Sequence, residues 1–158
     1  AERMTVSFTG GSITPAGGGG KYIAKPTTPG PATVNVSIEG RNSPFPIRVK
    51  YLPDPIPVVG QKSGGQESSA VFKAQGGLRA ILKDTEFDAP FTVVSYTMAG
   101  IGQGFQQYTP VQITGSQWGS NAVISNCRPG SQVFFDDIIV EGQDRKKRKL
   151  PSISFQLK

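Results

Sequence analysis

The sequence predicts a mainly β chain made of two small β-rich domains in tandem. The first is an immunoglobulin-like sandwich short of strands, and the second is a β-rich domain with one or two short helices. Three observations carry this expectation. Short runs of β-branched and aromatic residues alternate with polar ones at period two, the signature of half-buried strands. Twenty glycines and 13 prolines lie between those runs, a density of turn formers that excludes a helical bundle. The pattern then breaks at "FPIRVKYLPDPIPVVG", residues 45–60, where a strand meets a proline at every second position.

That break sets the domain organisation. Pro53, Pro55 and Pro57 lack amide donors and disfavour helix at the residue before each. A stiff, extended tether is therefore expected, closing one domain at residue 53 and opening the next at 54. The alternative is a proline-protected edge strand inside a single sandwich. A chain of 158 residues with 36% apolar content leaves both open.

In the first domain Met4, Val6 and Phe8 alternate with Thr5, Ser7 and Thr9, and Val34, Val36 and Ile38 with Asn35, Ser37 and Glu39. Ile47, Val49 and Tyr51 alternate with Arg48 and Lys50. "GGSITPAGGGG" and "KPTTPGP" read as turns around a short strand at "KYIA", and "RNSP" as the turn before the last strand. Some 50 residues is about half of a seven-stranded sandwich, so missing strands are expected from upstream in the intact chain or from a partner. This is the ground for expecting a homodimer.

In the second domain "ESSAVFKAQGG" offers Ser68 or Ser69 as N-cap and Gly76 as C-cap of a helix of one to two turns. "LRAILK", "FTVVSYTMAG" and "VQIT" read as strands, with "GIGQGFQQYTP" as a loop. "SQWGSNAVISNC" reads as a short helix capped by Ser116 and stopped by "RPG". "QVFFDDIIVEG" and "LPSISFQL" then read as strands flanking a basic run, a hairpin with a charged tip.

Few residues offer chemistry. The chain has no histidine, and its one cysteine, Cys127, can form neither an internal disulfide nor a shared thiolate metal site, so it reads as a small buried apolar residue. "GGGGKY" and "GIGQGF" miss the spacing of phosphate-binding loops and read as turns. Asp84, Glu86 and Asp88, and Asp136 with Asp137, read as solvated carboxylates rather than an acid–base pair or calcium site. No Ser-x-x-Lys motif is present. Asn35 in "NVS" falls inside a strand and is given no role. The chain is thus expected to be no enzyme and to hold no cofactor or metal. It has no apolar run of about 18 residues and no charged-then-apolar leader, and it reads as a mature product or an excised fragment.

Net charge is +6, of which "DRKKRK" at 144–149 supplies +4, five Lys/Arg less one Asp. A nucleic-acid binder spreads basic residues over a face with aromatics between them, so one short basic segment speaks against nucleic acid. Arg145, Lys146, Lys147, Arg148 and Lys149 are instead the candidate partner-docking residues; the bland alternative is a solvated turn that discourages edge aggregation.

"VSFTGGSI", "GGGGKYIAKP", "PATVNVSIEG", "FPIRVKYLPDPIPVVG", "AQGGLRAIL", "FDAPFTVVSYTM", "PGSQVFFDDIIVEGQD" and "LPSISFQL", taken in that order, resemble the GldM/PorM proteins of type IX secretion and gliding machinery. The resemblance runs through nearly the whole chain. It implies the last two periplasmic domains of a dimeric, inner-membrane-anchored protein, residues 1–53 and 54–158, that transmits force or position. A GldL/PorL-type membrane partner would act through a region outside this chain, and GldK/PorK and GldN/PorN ring proteins would meet the far end. The sequence departs from the family at the last hairpin, where a "GPDG" turn is expected and "GQDRKKRK" stands. The competing class is a secreted or surface β-sandwich binding module, with Trp118, Phe105 and Tyr108 as its ligand platform.

Overall fold

The computed structural model describes residues 3–83 and 89–158. It is mainly β with two short helices, and it divides into two compact units, Ala1–Leu52 and Pro53–Lys158.

The first unit contains β1 (Met4–Phe8), β2 (Gly11–Pro15), β3 (Tyr22–Pro26), β4 (Gly30–Ile38) and β5 (Arg41–Val49). β1, β4 and β5 form an antiparallel sheet in the order β1-β4-β5, and β2 and β3 form a separate hairpin. Five strands are two fewer than a complete immunoglobulin-type sandwich. Two segments expected to be turns are strand. "GSITP" is β2, paired along its length with β3, and Gly11 is needed there because a Cβ would lie 2.1 Å from the Lys25 carbonyl oxygen. "RNSP" lies within β5, because the reversal happens one step earlier: Glu39 and Gly40 both take positive φ, 49° and 79°, and close a two-residue hairpin between Ile38 and Arg41. β5 tolerates Pro44 and Pro46 because it is an edge strand. Both pair with odd-numbered β4 residues, Asn35 and Thr33, so their missing amides fall on the side away from β4.

The register sorts this sheet into two unlike faces. Met4, Val6 and Phe8 lie beside Ile38, Val36 and Val34, which in turn lie beside Arg41, Ser43 and Phe45. Ala32 and Ile47 extend the same apolar face, and the opposite face carries Thr5, Ser7, Asn35 and Ser37. Among the described residues of this unit only Phe8 and Ala32 are buried hydrophobics, while Phe45 is 54% and Ile47 42% exposed.

The second unit contains β6 (Ile56–Val58), β7 (Gly65–Glu67), α1 (Ser69–Ala74), β8 (Arg79–Ile81), β9 (Thr92–Gly102), β10 (Thr109–Thr114), α2 (Ala122–Asn126), β11 (Ser131–Glu141), β12 (Lys147–Leu150) and β13 (Ile153–Leu157). Its main sheet runs β10-β9-β11-β13-β7, with β12 also on β11; β7 joins β13 in parallel and the other pairs are antiparallel. The expected tether is shorter than residues 53–57. Pro55, Pro57, Val58 and Val59 are buried, and β6 pairs with β8. Prolines are compatible with this because a two-stranded ladder leaves one side of each strand without a bonding demand.

Two offsets make β11 readable. A bulge between Asp136 and Ile139, with Asp137 at φ 49°, inserts a residue and resets the inward-facing parity. Val133 and Phe135 are buried before it, Ile138 and Val140 after it. The core is aromatic at its centre. Phe72 of α1 stacks on Trp118 at 5.2 Å, and Phe135 contacts Phe72, Tyr96, Trp118 and Phe155 with ring centroids 5.7–6.1 Å apart. Tyr96 donates its buried hydroxyl to the Ser116 carbonyl at 2.8 Å, and burial pushes that phenol well above its ordinary range.

The helices follow local capping chemistry. Ser68 caps α1 by backbone geometry without a side-chain bond, and Gly76 follows the last turn at φ 71°, the left-handed position that favours glycine. α2 is capped by Asn121 rather than Ser116: Asn121 Oδ1 accepts from the amides of Val123 (2.9 Å) and Ile124 (3.1 Å). The Ser116 carbonyl is engaged elsewhere, by the Leu78 amide and the Tyr96 hydroxyl.

Candidate partner-docking hairpin

The basic run is not simply a hairpin tip. Ile138, Ile139, Val140 and Glu141 of β11 pair with Leu150, Lys149, Arg148 and Lys147 of β12, so three of the five cations belong to a strand and the connection is 142–146. Arg145 donates its amide to the Gly142 carbonyl at 3.0 Å, and Asp144 Oδ1 accepts the Lys146 amide at 3.1 Å. Arg145 holds φ 57°, the left-handed conformation in which a "GPDG" turn would place its final glycine. The departure from the family's turn therefore changes the residue at that position. Gly142 remains glycine for a packing reason: a Cβ there would lie 2.8 Å from the Phe91 ring and 2.9 Å from Asp144 Oδ1.

Alternation along β12 sorts the charges. Lys147 and Lys149 are exposed, while Arg148 and Leu150 turn inward. The Arg148 side chain is 5% exposed. It donates to the Asp144 carboxylate at 2.5 Å and to the Pro53 carbonyl at 3.0 Å, and its guanidinium carbon lies 5.1 Å from the centre of the Phe91 ring. A buried arginine in this setting is not offered to a partner, and its removal from the docking set corrects the sequence expectation. Lys149 pairs with Asp137 at 3.0 Å, both well exposed. Arg145, Lys146 and Lys147 lie on the exposed surface of the hairpin. Sequence reasoning had no signal for the inward turn of Arg148 other than the alternation Lys-Arg-Lys-Leu.

The other flagged residues fall as follows. Trp118 is 5% exposed and part of the core, and Phe105 packs over Gly100, where a Cβ would lie 2.3 Å from its ring. Tyr108 alone of the three is exposed, so no aromatic platform forms. Cys127 is fully buried and burial raises its thiol, the reverse of an activated nucleophile. Asp136 sits at the bulge opposite Thr97, and Asp84, Glu86 and Asp88 lie outside the described residues. Among the described residues no three of His, Cys, Asp or Glu come together as metal ligands, and no helix is long and apolar enough to cross a membrane.

No curated protein matches the chain. The family of the GldM C-terminal domain matches residues 53–158, which take in all of the second unit. GldM proteins are membrane-anchored structural and motor components of the gliding and type IX secretion machinery, with their C-terminal domains in the periplasm. With its aromatic-centred β domain matched from end to end, the chain belongs to the GldM family.

Proposed function

We propose that this chain is a non-enzymatic periplasmic coupling element of the type IX secretion and gliding machinery. It links an inner-membrane, proton-driven motor to the ring at the outer membrane. The observation that carries this reading is the family match over residues 53–158. The fold supports it: the residues with chemical potential, Trp118, Tyr96 and Cys127, are built into the core, and what the surface offers is charge and, on the first unit, an apolar face. Two units joined near residue 52 are read as two domains. Cells carrying the ring should yield GldK/PorK- and GldN/PorN-type proteins after cross-linking to this chain; a clean failure to capture them, with the chain folded and exported, overturns the reading.

Docking is assigned to Arg145, Lys146, Lys147 and Lys149 against an acidic surface of the ring. Each exposed contact is worth about 0.2–1 kcal/mol and is screened by salt. Replacing the four with glutamine should leave melting unchanged and slow association, most strongly at low ionic strength.

The chain is further proposed to be a homodimer through the apolar face of the first unit. That face is self-complementary, since two such sheets packed about 10 Å apart make a sandwich neither makes alone. Light scattering should give a dimer at high micromolar concentration and a monomer for Phe45→Ser/Ile47→Ser; a monomeric parent would remove the argument.

A further inference from the structure

We propose that Arg148 is a strap that anchors the first residues of the second unit to the far hairpin of its main sheet, so that pulling or bending of the incoming chain stops at residue 53. Apart from the packing of buried Pro55, residues 53 and 54 would otherwise be held through β6. That strand has three residue pairs with β8, and Pro57 sits at the centre of the ladder. So short a pairing opens easily from its end. Arg148 bypasses it. From a strand 95 positions away its Nη1 holds the Pro53 carbonyl at 3.0 Å, while Nη2 is fixed by Asp144 in the hairpin turn at 2.5 Å. Its Nε is buried without a hydrogen-bond acceptor and faces Asp54 Oδ1 at 3.5 Å. Asp54 is 78% exposed, so it has no packing role of its own, and its position is explained by the guanidinium beside it.

The geometry uses what is particular to arginine. One planar group addresses a carbonyl, a carboxylate of the turn and a carboxylate of the incoming chain, and lies against Phe91. Lysine has the charge but not the fork. Leaving the Pro53 carbonyl and the Asp144 carboxylate without their shared donor is the costly change, because both lose a charge-assisted bond. The inference does not depend on which partner the domain meets.

Residue-resolved amide hydrogen exchange on the 1–158 chain tests it. In Arg148→Gln, the ladder amides of Ile56, Val58, Arg79 and Ile81 should exchange about tenfold faster while those of β9 and β11 keep their protection, the signature of local opening. Arg148→Lys should fall between the two. Asp54→Ala, which removes only the exposed carboxylate, should move the same amides in the same direction by about threefold. A uniform rise across β9 and β11, or unchanged exchange at Ile56 and Val58, overturns the strap. If Arg148→Gln does not fold, Asp54→Ala decides, and its failure to accelerate those amides counts against the proposal.

Discussion

The two units are written in the same alternating code but reach different ends. In the second, every strand of the main sheet except the short β7 brings inward residues onto one cluster in which Phe135 touches four other rings. In the first, a three-stranded sheet of equally regular alternation buries only Phe8 and Ala32. Period-two patterning specifies a strand and which face is apolar; it does not supply the layer that covers that face. The second unit encodes its cover in Phe72 and Trp118, neither of which lies in a strand, and the first has only a short hairpin to offer.

Substitutions sharpen this contrast in descending order. Phe135→Ala should cost about 3–5 kcal/mol and unfold the second unit at much lower urea, read by Trp118 fluorescence. Asn121→Ala removes the acceptor for two helix amides and should cost about 0.5–2 kcal/mol, again confined to the second unit. Arg145→Gly relieves a left-handed arginine and should stabilise by up to about 1 kcal/mol, part of the relief being offset by glycine's freedom in the unfolded chain. Phe45→Thr, on the uncovered face, should change the stability of the monomer by less than about 0.5 kcal/mol; a large loss there would mean that the first unit does close over Phe45.

Alkaline pH separates the units again. Tyr96 keeps its proton in the fold after an unfolded tyrosine has lost it, so the folded state holds more protons above about pH 10. Stability contributed by the buried phenol is full below that pH and declines as pH rises towards the folded value. Tyr96→Phe should flatten this decline in chemical denaturation curves, leaving a shallower slope from the Cys127 thiol, which burial also raises. The Ser116 carbonyl keeps the Leu78 amide as donor, so the variant should still fold.

Much of the strand layout was legible because β9, β10, β11 and β13 carry apolar or β-branched runs long enough to exceed local noise. β2 was hidden because "GSITP" is flanked by glycines and ends on proline, and its strand state depends on pairing with β3 rather than on its own residues. The start of β5 was hidden because Glu-Gly is an uncommon spelling of a turn usually made by Asn-Gly. The cap of α2 was misplaced by five residues because Ser116 and Asn121 are both good caps, and what separates them is tertiary: Leu78 and Tyr96 take the Ser116 carbonyl, Gln117 bridges Gly77, and Gly119 holds φ 60°. In the docking hairpin the cations were visible as a run, but which of them faces the protein is a property of β12 and of Pro53, a carbonyl 95 residues away.

The two prolines of β5 bear on how large an edge-joined assembly can grow. Of the four β5 positions whose amides point away from β4, residues 42, 44, 46 and 48, two have no hydrogen to give. β1, at the other side of the sheet, carries no proline. Copies that met at this sheet's edges would therefore join β1 to β1, and the joined sheet would end on proline-bearing β5 at both margins. Such growth terminates at two, and a sheet with an exposed apolar face is spared the open-ended stacking that leads to fibres.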